Sequence, residues 1–242
     1  MLKKRKTAAP INSNAGFDNM RLTEQSPFSV QEAYKALRTN LSFSLMNCKV
    51  VGVVSAQMHD GKSTVAINLA ASFAQIGKKV LIIDSDLHLP TVAKKLNVNA
   101  RPGFSDFMIG SAPFTDCIRH AAWTSVDFMP AGTLPPDPSR ILDSPAMDRL
   151  FEQLKARYDL IIVDMPPINT VADAAILAKH GVEGYLVVAR HDYTDLRQIK
   201  DLMKRMQMVN ANVLGFVYND VPLNGKSSYS YHYGYGYGHT YG

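Results

Sequence analysis

Val50-Val51-Gly52-Val53-Val54-Ser55, followed directly by Ala56-Gln57-Met58-His59-Asp60-Gly61-Lys62-Ser63-Thr64, is the stretch that decides the fold. The first six residues carry no charge and are rich in valine, the pattern of a strand covered on both faces. The loop after them ends in Gly-Lys-Ser and opens an apolar segment, 65–76, with helical spacing. Strand, loop, Gly-Lys-Ser, helix is the order of a P-loop. Its chemistry explains the residue types: consecutive backbone N–H groups and a helix N-terminus wrap phosphate oxygens, Lys62 reaches the β and γ phosphates, and the Ser63 hydroxyl suits Mg²⁺. Gly61 lets the backbone come close. Gln57, Met58, His59, Asp60 and Thr64 complete the candidate nucleotide contacts. Ala56 stands where the strict pattern has its first glycine, so support must come from elsewhere in the chain.

It comes from further short runs without charge, Val80–Ile83 and Leu160–Val163, and from Gly184–Ala189 and Val213–Tyr218, all read as buried strands. The segments 145–157, 171–180 and 194–209 read as helices between them. This alternation predicts an α/β fold: a doubly wound, mostly parallel sheet flanked by helices, with ligands at the carboxyl ends of its strands. Upstream, Val30, Ala33, Leu37, Leu41 and Leu45 recur at three- and four-residue spacing, which predicts an amphipathic helix over 29–46 with Ser29 as its cap and Glu32 in the capping-box position. Two strands run into carboxylates, Leu81-Ile82-Ile83-Asp84-Ser85-Asp86 and Leu160-Ile161-Ile162-Val163-Asp164. A strand-end Asp alone is commonly a turn former. Three beside a P-loop predict a Mg²⁺-nucleotide site.

The chain has 242 residues, 46% hydrophobic and 19% charged, enough for one compact domain with a sizeable core. Of the net charge of +5, Lys3, Lys4, Arg5 and Lys6 supply all but one unit, so the body is nearly neutral and nucleic acid is not an expected partner. The basic end suits anionic lipid or an acidic partner. No apolar run is long enough for a membrane span and no apolar h-region follows the basic start, so a cytoplasmic location is expected. Cys48 and Cys117 belong to no CxxC and read as reduced core thiols. Three regions follow: a flexible basic arm over 1–26, a P-loop domain over 27–226, and a tail over 227–242. From Tyr229 onward the tail holds six Tyr, four Gly, two His, one Ser and one Thr, a composition that cannot build a packed core.

Several motifs together resemble the bacterial protein-tyrosine kinases, or BY-kinases, of capsule and exopolysaccharide systems, over about 29–220 plus the tail. Glu32-Ala33-Tyr34-Lys35-Ala36-Leu37-Arg38-Thr39-Asn40 is similar to the family's subunit-packing helix, Asp84-Ser85-Asp86 to its second Walker motif, and Asp164-Met165-Pro166-Pro167 to its Walker B. Leu134-Pro135-Pro136-Asp137-Pro138-Ser139, Val171-Ala172-Asp173-Ala174 and Val213-Leu214-Gly215-Phe216-Val217 also match, and the family ends in a tyrosine cluster. The resemblance implies ATP and Mg²⁺ as cofactors, with Lys62 and Asp84 catalytic, Ser63, Asp86 and Asp164 on the metal, and Asn219 near adenine. It implies autophosphorylation in trans of Tyr229, Tyr231, Tyr233, Tyr235, Tyr237 and Tyr241. It further implies a ring-like homo-oligomer packed through Glu32, Lys35 and Arg38, recruited to the inner membrane face by a separate adaptor and reversed by a phosphotyrosine phosphatase.

The chain departs from that family in places. Met58-His59 replaces the usual Pro-Gly, His88 stands where Arg is usual, and Lys35 replaces the first Arg of the packing helix, which removes guanidinium forks. The related partition and septum-site ATPases carry an extra lysine where this chain has Gln57. An ATP-binding switch or partition-type scaffold without kinase chemistry is the other function class.

Overall fold

The structure is a computed structural model and describes residues 20–45, 48–121, 123–168, 176–177 and 179–222. In chain order its elements are α1 (Phe28–Ser44), β1 (Val50–Ser55), α2 (Lys62–Ala74), β2 (Val80–Asp84), α3 (Val92–Leu96), α4 (Phe104–Met108), α5 (Phe114–Cys117), β3 (Arg119–His120) and β4 (Asp127–Met129). They continue with α6 (Pro138–Leu142), α7 (Ala146–Lys155), β5 (Leu160–Asp164), β6 (Gly184–Arg190), α8 (Leu196–Met208) and β7 (Val213–Asn219). The strands form one sheet in the order β3-β4-β2-β5-β1-β6-β7, parallel except at β3–β4.

Every residue of β1, β2 and β5 is buried, as the charge-free runs predict. One face of the sheet packs Leu142, Leu150, Phe151, Leu154, Leu202 and Met206 of α6, α7 and α8; the other packs Leu41 of α1, the apolar side of α2 and Val92 and Leu96 of α3. At about 25 cal/mol per Å² of apolar surface removed from water, these two layers are the main source of stability. Cys48 and Cys117 are free buried thiols in opposite layers.

Four sequence expectations change. Ser29 does not cap α1: the helix begins one residue earlier after Pro27, whose fixed φ of −51° sets the turn, and no side chain caps it. Gln31 instead reaches back to the Ser26 carbonyl at 2.7 Å, and Glu32 pairs with Lys35 at 3.3 Å. The β7 strand is not buried: among the described residues it is the sheet edge, with Phe216 and Tyr218 exposed. The arm boundary at 26 moves back, because residues 20–26 are anchored on α2: Leu22 is buried, its N–H donates to Asn68 Oδ1 at 3.0 Å, and Asn68 Nδ2 donates to the Met20 carbonyl at 2.8 Å. Finally, β3 and β4 extend the sheet where no strand was expected. The arm to residue 19, the motif 171–174, most of the helix expected over 171–180 and the whole tyrosine cluster lie outside the described residues.

Candidate active site

Parallel pairing puts the carboxyl ends of β1, β2 and β5 side by side, and with them the P-loop and the strand-end carboxylates. Asp84 and Asp164 are register partners across β2 and β5, and Val53 of β1 is opposite Asp164. The loop between β1 and α2 keeps P-loop geometry despite its side chains. His59 sits in the left-handed region at φ 67° and Gly61 at φ 93°. For His that conformation costs about 1–2 kcal/mol, which the surrounding bonds must offset.

Those bonds come from the β6–α8 turn and the end of β7. Asp60 is fully buried; its carboxylate accepts from the Gln57 N–H at 3.1 Å and from the Thr194 hydroxyl at 2.6 Å. Gln57 is held by Gln198 Nε2 at 2.6 Å and donates to the Tyr193 carbonyl at 3.1 Å. Asn219 Nδ2 donates to the Asp60 carbonyl at 3.0 Å, and Arg190, paired with Asp220 at 2.7 Å, donates to the His59 carbonyl at 3.4 Å. The Asp60 side chain is therefore a brace inside the loop, and Asn219 lies against Gly61, where an added Cβ would meet its amide. None of Thr194, Gln198 or Arg190 stood out in the sequence as part of a site.

Behind the loop, Lys62 Nζ is 3.1 Å from Asp86 Oδ2 in a nearly buried ion pair. Burial lowers the proton affinity of Lys62, but the charges of Asp164 and Asp86 outweigh it, leaving the ammonium above its ordinary value. Asp86 Oδ1 accepts from the Leu89 N–H at 2.9 Å. Asp84 is wholly enclosed and accepts from Val92 N–H at 3.1 Å and Asp86 N–H at 3.3 Å; burial first, and the neighbouring Asp164 charge second, push its carboxyl well above the usual range. Asp164 is raised chiefly by burial, against the opposing charge of Lys62. Among the described residues neither Asp164 oxygen has a well-formed hydrogen bond, and the Ser63 hydroxyl is near enough to favour the anion. The Ser63 hydroxyl instead receives Thr91 Oγ1 at 2.9 Å.

An orphaned, buried carboxylate beside a serine hydroxyl fits a hard divalent cation, since an unsatisfied charge of this kind is costly unless a ligand completes it. The described residues form no cluster of three or more His, Cys, Asp or Glu able to cage a metal. Mg²⁺ keeps several waters and takes oxygens from a nucleotide, so one carboxylate and one hydroxyl fit it. Of the residues expected on the metal, Ser63 and Asp164 are neighbours and Asp86 is engaged by Lys62. The expected interface residues split: Glu32 and Lys35 are exposed, whereas Arg38 turns inward to the Ser72 carbonyl at 2.7 Å and its hydroxyl at 3.0 Å, near the C-terminal end of α2, where a cation is favoured.

A family model described as "ParA: NUBPL iron-transfer P-loop NTPase" matches residues 47–239. The tyrosine-protein kinase YwqD of Bacillus subtilis is 34% identical over 200 residues, 82% of this chain and 84% of that protein. The tyrosine-protein kinase wzc of Salmonella typhi is 34% identical over 192 residues, and there the chain spans only 27% of the relative's length. Among solved structures, the kinase domain of Escherichia coli tyrosine kinase ETK is similar with a TM-score of 0.78 and 32% identity, over 88% of this chain and 87% of that one.

Proposed function

The chain belongs to the bacterial tyrosine-kinase family of P-loop NTPases, and from that premise we propose that it phosphorylates the tyrosines of its own C-terminal cluster, Tyr229 to Tyr241, mainly on a neighbouring subunit of a homo-oligomer. The observation that carries this reading is the P-loop set beside Asp164, whose two buried oxygens have no hydrogen-bond partner among the described residues. The γ-phosphoryl group of ATP passes to a phenol oxygen: one O–P bond forms, the bond to the β-phosphate oxygen breaks, ADP leaves and the phenol proton is accepted by the protein.

Lys62 turns from Asp86 to the β and γ phosphates and offsets the charge that develops there. Mg²⁺, when bound, neutralises phosphate charge and fixes the reacting geometry. Ser63 and Asp164 would hold it, with Asp86 in support once Lys62 has turned away. Asp84 accepts or orients the phenol proton: a tyrosine of pKa about 10 needs a base at neutral pH, and a carboxylate with raised proton affinity is better suited than an ordinary one. Asn219, at the rim of the loop, orients the nucleotide from the base side.

The tail supports the acceptor role through its composition. Small or polar residues separate the tyrosines, and each phosphate adds about −1.5 to −2 charges. Repulsion between phosphorylated tails then disassembles the oligomer. No described helix is long and apolar enough to cross a membrane, and we assign membrane recruitment to a separate adaptor, aided by the basic residues 3–6. The system served is capsular or extracellular polysaccharide synthesis, with a phosphotyrosine phosphatase resetting the tail.

Transfer between subunits is tested by mixing two variants. A protein lacking residues 229–242 but keeping its P-loop serves as kinase, and a Lys62→Met protein with its tail serves as acceptor. Phosphate on the Lys62→Met tail, absent when either variant is incubated alone with Mg-ATP, is the expected result. A Lys62→Met tail left unmodified, while wild-type protein labels itself, would show that transfer stays within one subunit.

A further inference from the structure

The segment after β2 touches the P-loop region at three points. The Val92 N–H reaches Asp84, the Thr91 hydroxyl reaches Ser63, and Lys95 Nζ donates to Thr64 Oγ1 at 3.0 Å. Thr91 and Lys95 are four residues apart, so they share one side of this short helix and engage two consecutive hydroxyls of α2.

Lys95 is not an ordinary surface lysine. It is half-buried, and its proton affinity is lowered first by burial, with Lys62 and Lys94 adding repulsion and Asp164 opposing. A charged group kept in such a place carries a desolvation cost that a solvent-facing position on α3 would avoid. Its partner, Thr64, lies in the first turn of α2, where unpaired N–H groups face the expected phosphates. A hydroxyl has one proton and two lone pairs, and an ammonium can only donate. With Lys95 donating to its oxygen, Thr64 has its own proton left to offer, directed away from Lys95.

Resting on the nucleotide site proposed above, we infer that Lys95 is a positioning residue for nucleotide binding: it fixes the Thr64 hydroxyl as a charge-assisted donor to a phosphate oxygen. Lys95 thereby brings a second ammonium to the phosphate end of a site in which Lys62 is held by Asp86.

The test is calorimetric titration of ADP, with Mg²⁺ and with EDTA, into wild-type protein, Lys95→Met, Lys95→Arg, Thr64→Val and the Lys95→Met/Thr64→Val double variant. Each of Lys95→Met and Thr64→Val is expected to weaken ADP binding about 10-fold, or about 1.4 kcal/mol. The double variant is expected to match the weaker single variant, not the roughly 100-fold product of independent effects. Lys95→Arg keeps a cationic donor and restores most of the affinity. The melting temperature of each nucleotide-free variant is recorded beside the titrations, so that affinity is compared between folded proteins. Unchanged ADP affinity in Lys95→Met, independent effects in the double variant, or no recovery of affinity in Lys95→Arg would overturn the inference. Wild-type protein that binds no ADP would overturn the nucleotide site itself, and the inference with it.

Discussion

Replacing Asp164 by Asn should stabilise the nucleotide-free protein while destroying its use of Mg-ATP. Both carboxylate oxygens are buried without hydrogen-bond partners among the described residues, and Asp84, also buried, is directly opposite in the sheet. Leaving a buried polar group unsatisfied costs about 1–3 kcal/mol. An amide of the same shape removes the charge and can donate to Asp84, so a gain of about 1–2 kcal/mol is expected; for a chain of this size that is about 2–8 °C in melting temperature. The pH dependence gives a second check. The Asp164 carboxyl is raised in the folded state by burial, so between the ordinary value near 4 and its folded value the native protein holds a proton that the unfolded chain has lost. Wild-type stability therefore falls as pH rises through that window, and the advantage of Asp164→Asn is greatest above it and shrinks toward pH 4. Thermal melts in EDTA from pH 4 to 8 measure both, and ADP with Mg²⁺ should raise the melting temperature of wild type far more than that of the variant. An Asp164→Asn protein that melts several degrees below wild type at pH 7 without nucleotide would refute the reasoning.

Other substitutions probe the supports of the site. Gly61→Ala forces a side chain into φ 93° and displaces Asn219 from the Asp60 carbonyl; a loss of about 1–2 kcal/mol in denaturant unfolding and weaker ADP binding are expected. Thr194→Val leaves the buried Asp60 carboxylate without the hydroxyl at 2.6 Å, which should cost about 1–3 kcal/mol and speed hydrogen exchange of the P-loop amides. Arg38→Ala removes a charged donor from Ser72 and should cost about 1.5–3 kcal/mol while raising exchange in α1; if only oligomer mass by light scattering changes, Arg38 serves the interface and not its own subunit.

The central fold was legible because the strands of a parallel sheet, covered on both sides, are written as runs without charge, and because Gly-Lys-Ser and three carboxylates fall at their carboxyl ends. The edges were not. Two residues of β3 and three of β4 are too short to show a period, and β7 carries the same apolar residues as a buried strand although its outer edge has no described neighbour. The braces of the P-loop were hidden for a different reason: Thr194 and Gln198 lie 134 and 141 residues from their partners, so only tertiary structure brings them together. Lys95 did leave a trace, its four-residue spacing from Thr91 just after the Asp84-Ser85-Asp86 turn, but a lysine at that spacing reads as a solvated face until burial is known. At His59 the residue type argued against the loop geometry, and the geometry is kept because Asp60, Arg190 and Asn219 hold the backbone on both sides of it.

The most direct test of the account is the intact mass of phosphatase-treated protein after incubation with Mg-ATP, beside a Lys62→Met control. Additions of about 80 Da per phosphate, mapped to Tyr229–Tyr241 and absent from the control, are predicted. A protein that binds Mg-ATP yet gains no mass, or a Lys62→Met protein that gains as much as wild type, would contradict the assignment of this P-loop as the site of tyrosine phosphorylation.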